Sequence, residues 1–241
     1  MQPTETGGTL ESSALGRLIG VLTSPGKTFR SIAERPTWAA PLLLLVLLTS
    51  GVGYLVAQRL DMEQAIRQRL AGRQELSQEQ MDKAVAQGKK YGPIAALASG
   101  VVVTPIGYLL AAALFFTLFR LLGSEVDYVR SLAVWLHGLM PWAIATLLAL
   151  PIVLSRAKLD PTTAQRGLLL SNLAALAPEG TRPGVLALLG SLDLFSVWTA
   201  ILLVIGYRTV ARVSTTAATA VVVGLWAVWV AGKVGLMAAF G

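Results

Sequence analysis

Three ionisable side chains, Asp193, Lys233 and His137, fall inside long apolar stretches of the chain. Ionisable groups in such positions are costly, and they commonly mark proton relays, ion or substrate paths, or structural pairs. Asp193 follows Gly190-Ser191-Leu192 and has two readings. As a helix start, Ser191 or Asp193 caps a span near the membrane interface and the carboxylate stays wet. As a break in a longer segment, the site frees backbone groups that bind ions or substrate where they line a cavity. Lys233 has a stem long enough to snorkel to the interface. His137, in Trp135-Leu136-His137-Gly138-Leu139-Met140-Pro141-Trp142, stands one turn before a proline. Its ring can donate to a backbone carbonyl in the bundle or relay a proton. A proton-linked switch would need His137 to face Asp193, and no spacing in the sequence requires that.

The rest of the chemical inventory argues against catalysis. The chain has no cysteine and one histidine, so thiol catalysis, cysteine-ligated metals and a two-histidine metal site are all absent from the expectation. An intramembrane metalloprotease needs His-Glu-x-x-His, and a nucleotide hydrolase needs Gly-x-x-x-x-Gly-Lys; neither is present. An aspartyl intramembrane protease needs two opposed aspartates, and only Asp193 lies in an apolar stretch. No Gly-x-Ser-Gly precedes His137 to form a serine–histidine dyad. The expectation is a protein with no catalytic residues, no metal and no cofactor.

The elements that carry these residues follow from the distribution of charge. Charged residues make up 14% of the 241 positions, against roughly 25% in soluble domains. Five stretches, Trp38–Gln58, Tyr91–Phe119, Ser131–Ser155, Pro183–Tyr207 and Val213–Gly241, hold only Asp193 and Lys233 of the 33 charges. Each reaches the ~20 residues that cross a hydrocarbon core. The reading is an all-α, polytopic membrane protein with five transmembrane helices and short amphipathic interfacial helices, which excludes a soluble enzyme, a disordered chain and a fibrous repeat. The net charge of +7 is dispersed among the loops, so its expected partner is the bilayer and its anionic lipids rather than nucleic acid.

Residues 1–14 read as a disordered tail, and 15–241 as one membrane domain. Leu15, Leu18, Ile19 and Leu22 recur at helical spacing with Arg17 on the other face. Ser24-Pro25 restarts the chain as a helix in which Phe29, Ile32 and Ala33 share a face, and Pro36 ends it. The loop 59–90 reads as a helical hairpin or as helical extensions of its flanking spans. Within it, Ile66 and Leu70 mark one helix, and Ser77-Gln78-Glu79-Gln80 is a capping box ahead of another. In the second span, Thr104-Pro105 and Gly107 predict a kink, and Ala96, Gly100 and Thr104 form a small-residue ridge for close helix contact. Ala227, Ala231 and Gly235 repeat that ridge in the last span. Asp160-Pro161 opens a helix predicted to carry Leu169, Leu170, Leu173, Leu176 and Ala177 on one face until Pro178. Basic residues are slightly more numerous in the loops opposite the N-terminal side, which leans weakly toward an external N-terminus.

Taken in order, these segments resemble a known family. Ser24-Pro25-Gly26-Lys27-Thr28-Phe29-Arg30-Ser31-Ile32-Ala33-Glu34-Arg35-Pro36 leads directly into Trp38 and Pro41-Leu42-Leu43. Leu121-Leu122-Gly123-Ser124 is followed by Tyr128 and a span holding Pro141. Gly190-Ser191-Leu192-Asp193-Leu194-Phe195-Ser196-Val197-Trp198 precedes Leu202-Leu203-Val204-Ile205-Gly206 and a short basic loop. The chain resembles bacterial members of the Yip (Ypt-interacting protein) family over roughly residues 15–235, with Pro25, Phe29, Pro36, Pro141, Phe195 and Trp198 as its motif residues. The resemblance implies a five-span bundle in the bacterial inner membrane with a cytoplasmic N-terminus, against the weak charge count. In eukaryotic relatives it implies Golgi and ER proteins that bind Rab-type GTPases. In bacterial relatives it implies an integral membrane protein without catalytic residues. The expected function is a scaffold or accessory subunit that associates with itself or with other membrane subunits. The rival is a transporter, channel or lipid-moving protein that uses the break near Asp193.

Overall fold

A computed structural model describes residues 13–70, 77–178 and 180–240, so most of the expected tail lies outside the described residues. Among the described residues, twelve α-helices follow in chain order: α1 (Ala14–Thr23), α2 (Pro25–Glu34), α3 (Ala39–Arg59), α4 (Met62–Leu70), α5 (Gln78–Ala98) and α6 (Thr104–Leu121). Then come α7 (Tyr128–Gly138), α8 (Met140–Ser155), α9 (Pro161–Arg166), α10 (Pro183–Ser191), α11 (Leu194–Val210) and α12 (Thr215–Phe240). Among the described residues there is no strand, only two isolated bridges. Four helical runs among the described residues are long and apolar enough to cross a membrane: Ala39–Arg59, Gln78–Leu121, Tyr128–Ser155 and Thr215–Ala239. The stretch Pro183–Tyr207 is instead divided between α10 and α11, of 9 and 17 residues.

The helix ends follow their sequence signals. Ser77 and Gln80 form the reciprocal capping box that starts α5, and Asp127 caps α7 by accepting from the Arg130 N–H at 2.8 Å. Ser24 gives α2 no side-chain cap; proline at the first position suits the helix start by itself. Between α5 and α6, residues Ser99–Val103 form a π-turn in which the Thr104 N–H reaches back to the Ser99 carbonyl. Pro105 lacks an N–H and its ring crowds the carbonyl four residues earlier, so the helix widens ahead of it.

The chain divides into two compact units. The first comprises residues up to Leu45, Pro105–Ala143 and Phe195–Val228. Its centre is a cluster of rings in which Tyr207 lies 4.9 Å from Phe115 and 4.5 Å from Phe119, while Phe115 lies 5.3 Å from Trp135. The buried Tyr207 hydroxyl sits 3.1 Å from the Ser131 hydroxyl, which donates to the Ala112 carbonyl. Phe29 of α2 is fully buried, close enough to Gly206 of α11 that a Cβ there would meet its ring at 2.9 Å. That contact explains the aromatic residue in the Ser24–Pro36 segment.

Arg17 is buried while Leu15 and Ile19 are 73% and 64% exposed, so the buried face is Arg17, Leu18 and Val21. The Arg17 guanidinium donates from Nη1 to the Arg35 carbonyl and, at 3.0 Å, to Thr37 Oγ1. Arg130 donates from Nε to the Ala33 carbonyl at 2.8 Å and pairs with Asp127. Two arginines thus satisfy carbonyls left open at the C-terminus of α2, where the helix dipole also favours cations.

The second unit comprises Val46–Thr104, Ile144–Leu194 and residues from Trp229 onward. Here Ser50 of α3 lies so close to Gly100 that a Cβ at Gly100 would come within 2.7 Å of the Ser50 Cα. The ridge expected at Ala96, Gly100 and Thr104 is therefore a real close approach at its central glycine. Met62 of α4 covers Gly88 of α5, so α4 folds back on α5 as a hairpin. Leu60 and Leu159 form a parallel bridge, with the Leu159 N–H donating to Arg59 O at 2.7 Å and Asp61 N–H to Leu159 O at 2.9 Å. Gln64 Nε2 donates to Asp160 Oδ2 at 3.0 Å and clasps α4 to the start of α9.

The long helix expected after Asp160-Pro161 is corrected. Asp160 does cap it, accepting from the Thr162 N–H, but the helix ends at Arg166. Gly167 adopts φ +96, a left-handed conformation that stops the helix, and only a 3-10 turn at Leu173–Leu176 follows.

Candidate functional site

The break between α10 and α11 is the best-defined polar feature in an apolar setting. Two residues, Leu192 and Asp193, separate the helices. A broken helix in a bilayer frees backbone N–H and C=O groups, each of which costs several kcal/mol if left unpaired. Here an extended piece of the preceding loop satisfies them. The Leu194 N–H donates to Ser171 O at 3.0 Å, and the Leu173 N–H donates to Leu192 O at 3.3 Å, which brackets an antiparallel bridge between Asn172 and Asp193.

Side chains complete the joint. Asp193 is 4% exposed, and its Oδ2 accepts from the Ser171 hydroxyl. Asn172 shapes the incoming loop: its Nδ2 donates to Arg166 O at 3.0 Å while its Oδ1 accepts from the Ala174 N–H at 3.0 Å. Of the two readings of Asp193, the structure shows the break, with the carboxylate buried under an extended piece of the preceding loop.

Lys233 reaches the same place. Its Nζ donates to the Ser191 hydroxyl at 3.3 Å, and Ser191 in turn donates to Ala187 O at 2.7 Å. The last turn of α10 offers a hydroxyl within reach, so the ammonium is satisfied inside its own unit. The two charges that interrupt the apolar stretches thus converge on residues 191–193. Gly184, on the same helix, lies near Ala238 and the Val234 carbonyl of α12.

His137 belongs to the other unit and is fully buried. Its Nδ1 lies 2.8 Å from the Ala133 carbonyl of its own helix. A carbonyl only accepts, so Nδ1 carries a hydrogen. Nε2 has no hydrogen-bond partner among the described residues. The carbonyl that His137 uses is one turn back in α7 rather than one freed by Pro141. Gly138 beside it admits Leu203 of α11, which a Cβ would strike.

Of the motif residues, Pro25 opens α2, Phe29 is buried against Gly206 and Pro36 follows the end of α2. Pro141 stands at the second position of α8, where a missing N–H costs little. Phe195 is buried 6.4 Å from Trp142, and Trp198 is half-buried. Ser171, Asn172 and Arg17 were not singled out by sequence. The signal that could have found the first two is Gly167, a helix stop followed at short range by paired side-chain amide and hydroxyl groups.

The faces turned outward are apolar: Leu47, Leu110 and Trp229 are each about 70% exposed, with many large aliphatic neighbours. Long apolar helices with apolar outer surfaces, and polar groups paired inward, define an integral helical membrane protein. A family model described as the Yip1 domain matches residues 19–236. The chain belongs to the Yip1 domain family. It is 29% identical over 199 residues to the membrane protein YknW of Bacillus subtilis strain 168, covering 82% of this chain and 79% of that relative. No solved structure matches the chain.

Proposed function

We propose that this chain is a non-catalytic integral membrane protein of the bacterial inner membrane that acts as a scaffold or accessory subunit. The observation that supports it is the filled joint at Asp193. A transport site built on a broken helix needs free backbone dipoles facing a cavity; here the Leu194 N–H and Leu192 carbonyl are taken by Ser171 and Leu173. The Asp193 carboxylate accepts from Ser171, and Lys233 is bonded to Ser191. On this reading α10 and α11 together make a fifth, interrupted crossing, and the N-terminus is cytoplasmic. Its partners are anionic lipid and either a second copy or another membrane subunit.

Native mass spectrometry in mild detergent tests the scaffold role. A self-associated or heteromeric species is expected; a strictly monomeric protein with no co-purifying subunit would contradict it.

A further inference from the structure

The second unit contains an open cleft of about 800 Å³ that none of Asp193, His137 or Lys233 lines. Three helices build it at the points where their apolar stretches end. Arg59 closes α3, Lys89 and Lys90 precede the apolar part of α5, and Arg156 follows α8. Four cations therefore face one space, and no acidic residue lines it. Its walls also include Ile94 and Leu154, which are 60% and 53% exposed.

The contrast with neighbouring cations is informative. In the same unit Arg67 pairs with Glu63, Lys83 with Glu79 and Lys158 with Asp61. Among the described residues, none of Arg59, Lys89, Lys90 and Arg156 is in an ion pair. Arg59 makes one long donation, 3.5 Å, to its own helix at Leu55 O, and Lys90 lies 5.1 Å from the Tyr91 ring centre. Four like charges gathered around one cleft set up a positive field that attracts an anion.

We propose that this cleft is a binding site for the phosphate headgroup of an anionic phospholipid. The cations would contact the phosphate oxygens, with arginine supplying forked donors and lysine point charges. Ile94 and Leu154 would lie along the first part of the acyl chain. Basic pockets between transmembrane helices at the membrane boundary take such headgroups. Four cations favour a lipid with two phosphates over one with a single phosphate.

The test is lipid retention by native mass spectrometry after extraction from vesicles of defined composition: phosphatidylcholine alone, or with added phosphatidylglycerol or cardiolipin. The wild-type chain is expected to retain anionic lipid, cardiolipin above phosphatidylglycerol, and no phosphatidylcholine. Two paired variants, R59Q/R156Q and K89Q/K90Q, are each expected to lower retention by roughly 25-fold, on the order of fivefold per cation. Arg59→Lys with Arg156→Lys keeps the charge and is expected to retain the lipid, which separates binding from folding. The control R67Q/K83Q removes the same charge from the adjacent hairpin and is expected to change nothing. Retention unaltered in both paired variants would overturn the site, as would equal loss in the control. Displacement of the lipid by millimolar inorganic phosphate would overturn the assignment to a lipid headgroup and leave a site for the free anion.

Discussion

Asp193 and Ser171 act as one unit at the helix break, because the hydroxyl donates to a carboxylate that is almost fully buried. Replacing Asp193 with alanine is expected to cost about 1–3 kcal/mol, since it leaves buried donors unsatisfied. Ser171→Ala should cost less, and the double variant should fall short of the sum by at least ~0.5 kcal/mol. Thermal unfolding of the four proteins in one detergent measures this; strict additivity would show the two residues to be independent. A second residue, Asp160, has a pH signature. The Gln64 side chain holds its carboxyl below the usual carboxylate range, aided by the Thr162 amide and opposed by partial desolvation. A depressed folded-state value means the clasp contributes stability above the unfolded value and loses it as pH falls through the folded one. Hydrogen exchange in Pro161–Arg166 should therefore accelerate only below about pH 4. Gln64→Ala should move that onset upward, and an unmoved onset would contradict the clasp.

At the scale of elements, small residues divide into those that are used and those left open. Gly100 lies against the Ser50 backbone, whereas nothing in the described chain lies within 4 Å of a Cβ at Gly235. Gly100→Ala is expected to cost about 1–3 kcal/mol through overpacking, and Gly235→Ala to be close to neutral in the isolated chain. The two ridges are indistinguishable by composition, and only the path of α3 decides which is covered. The same logic explains what was legible in the sequence. Charge-poor stretches reported the long helices, Ser77 and Gln80 reported the start of α5, and Gly190–Asp193 reported a possible break. The orientation of α1 was not legible. In lipid, apolar side chains face outward as readily as inward, so a stripe of leucines no longer marks the core, and Arg17 turned in to hold the end of α2. The long helix expected after Asp160 failed because helical spacing of leucines outweighed Gly167, whose backbone conformation ends the helix.

For the whole molecule, the proposed fifth crossing rests on the joint at Leu192–Asp193. If the paired loop segment exists to let an interrupted helix cross the bilayer, then α10 and α11 carry the chain from one face to the other. The chain has no cysteine, so single cysteines report without background. Arg182 and Thr215 are exposed residues that flank the α10–α11 segment. Labelling Arg182→Cys and Thr215→Cys separately in intact cells with a membrane-impermeant maleimide, before and after permeabilisation, reads their sides directly. The Arg182 position should label in intact cells and the Thr215 position only after permeabilisation. Labelling of both from the same side would show that α10 and α11 do not cross, and would contradict the interrupted fifth span.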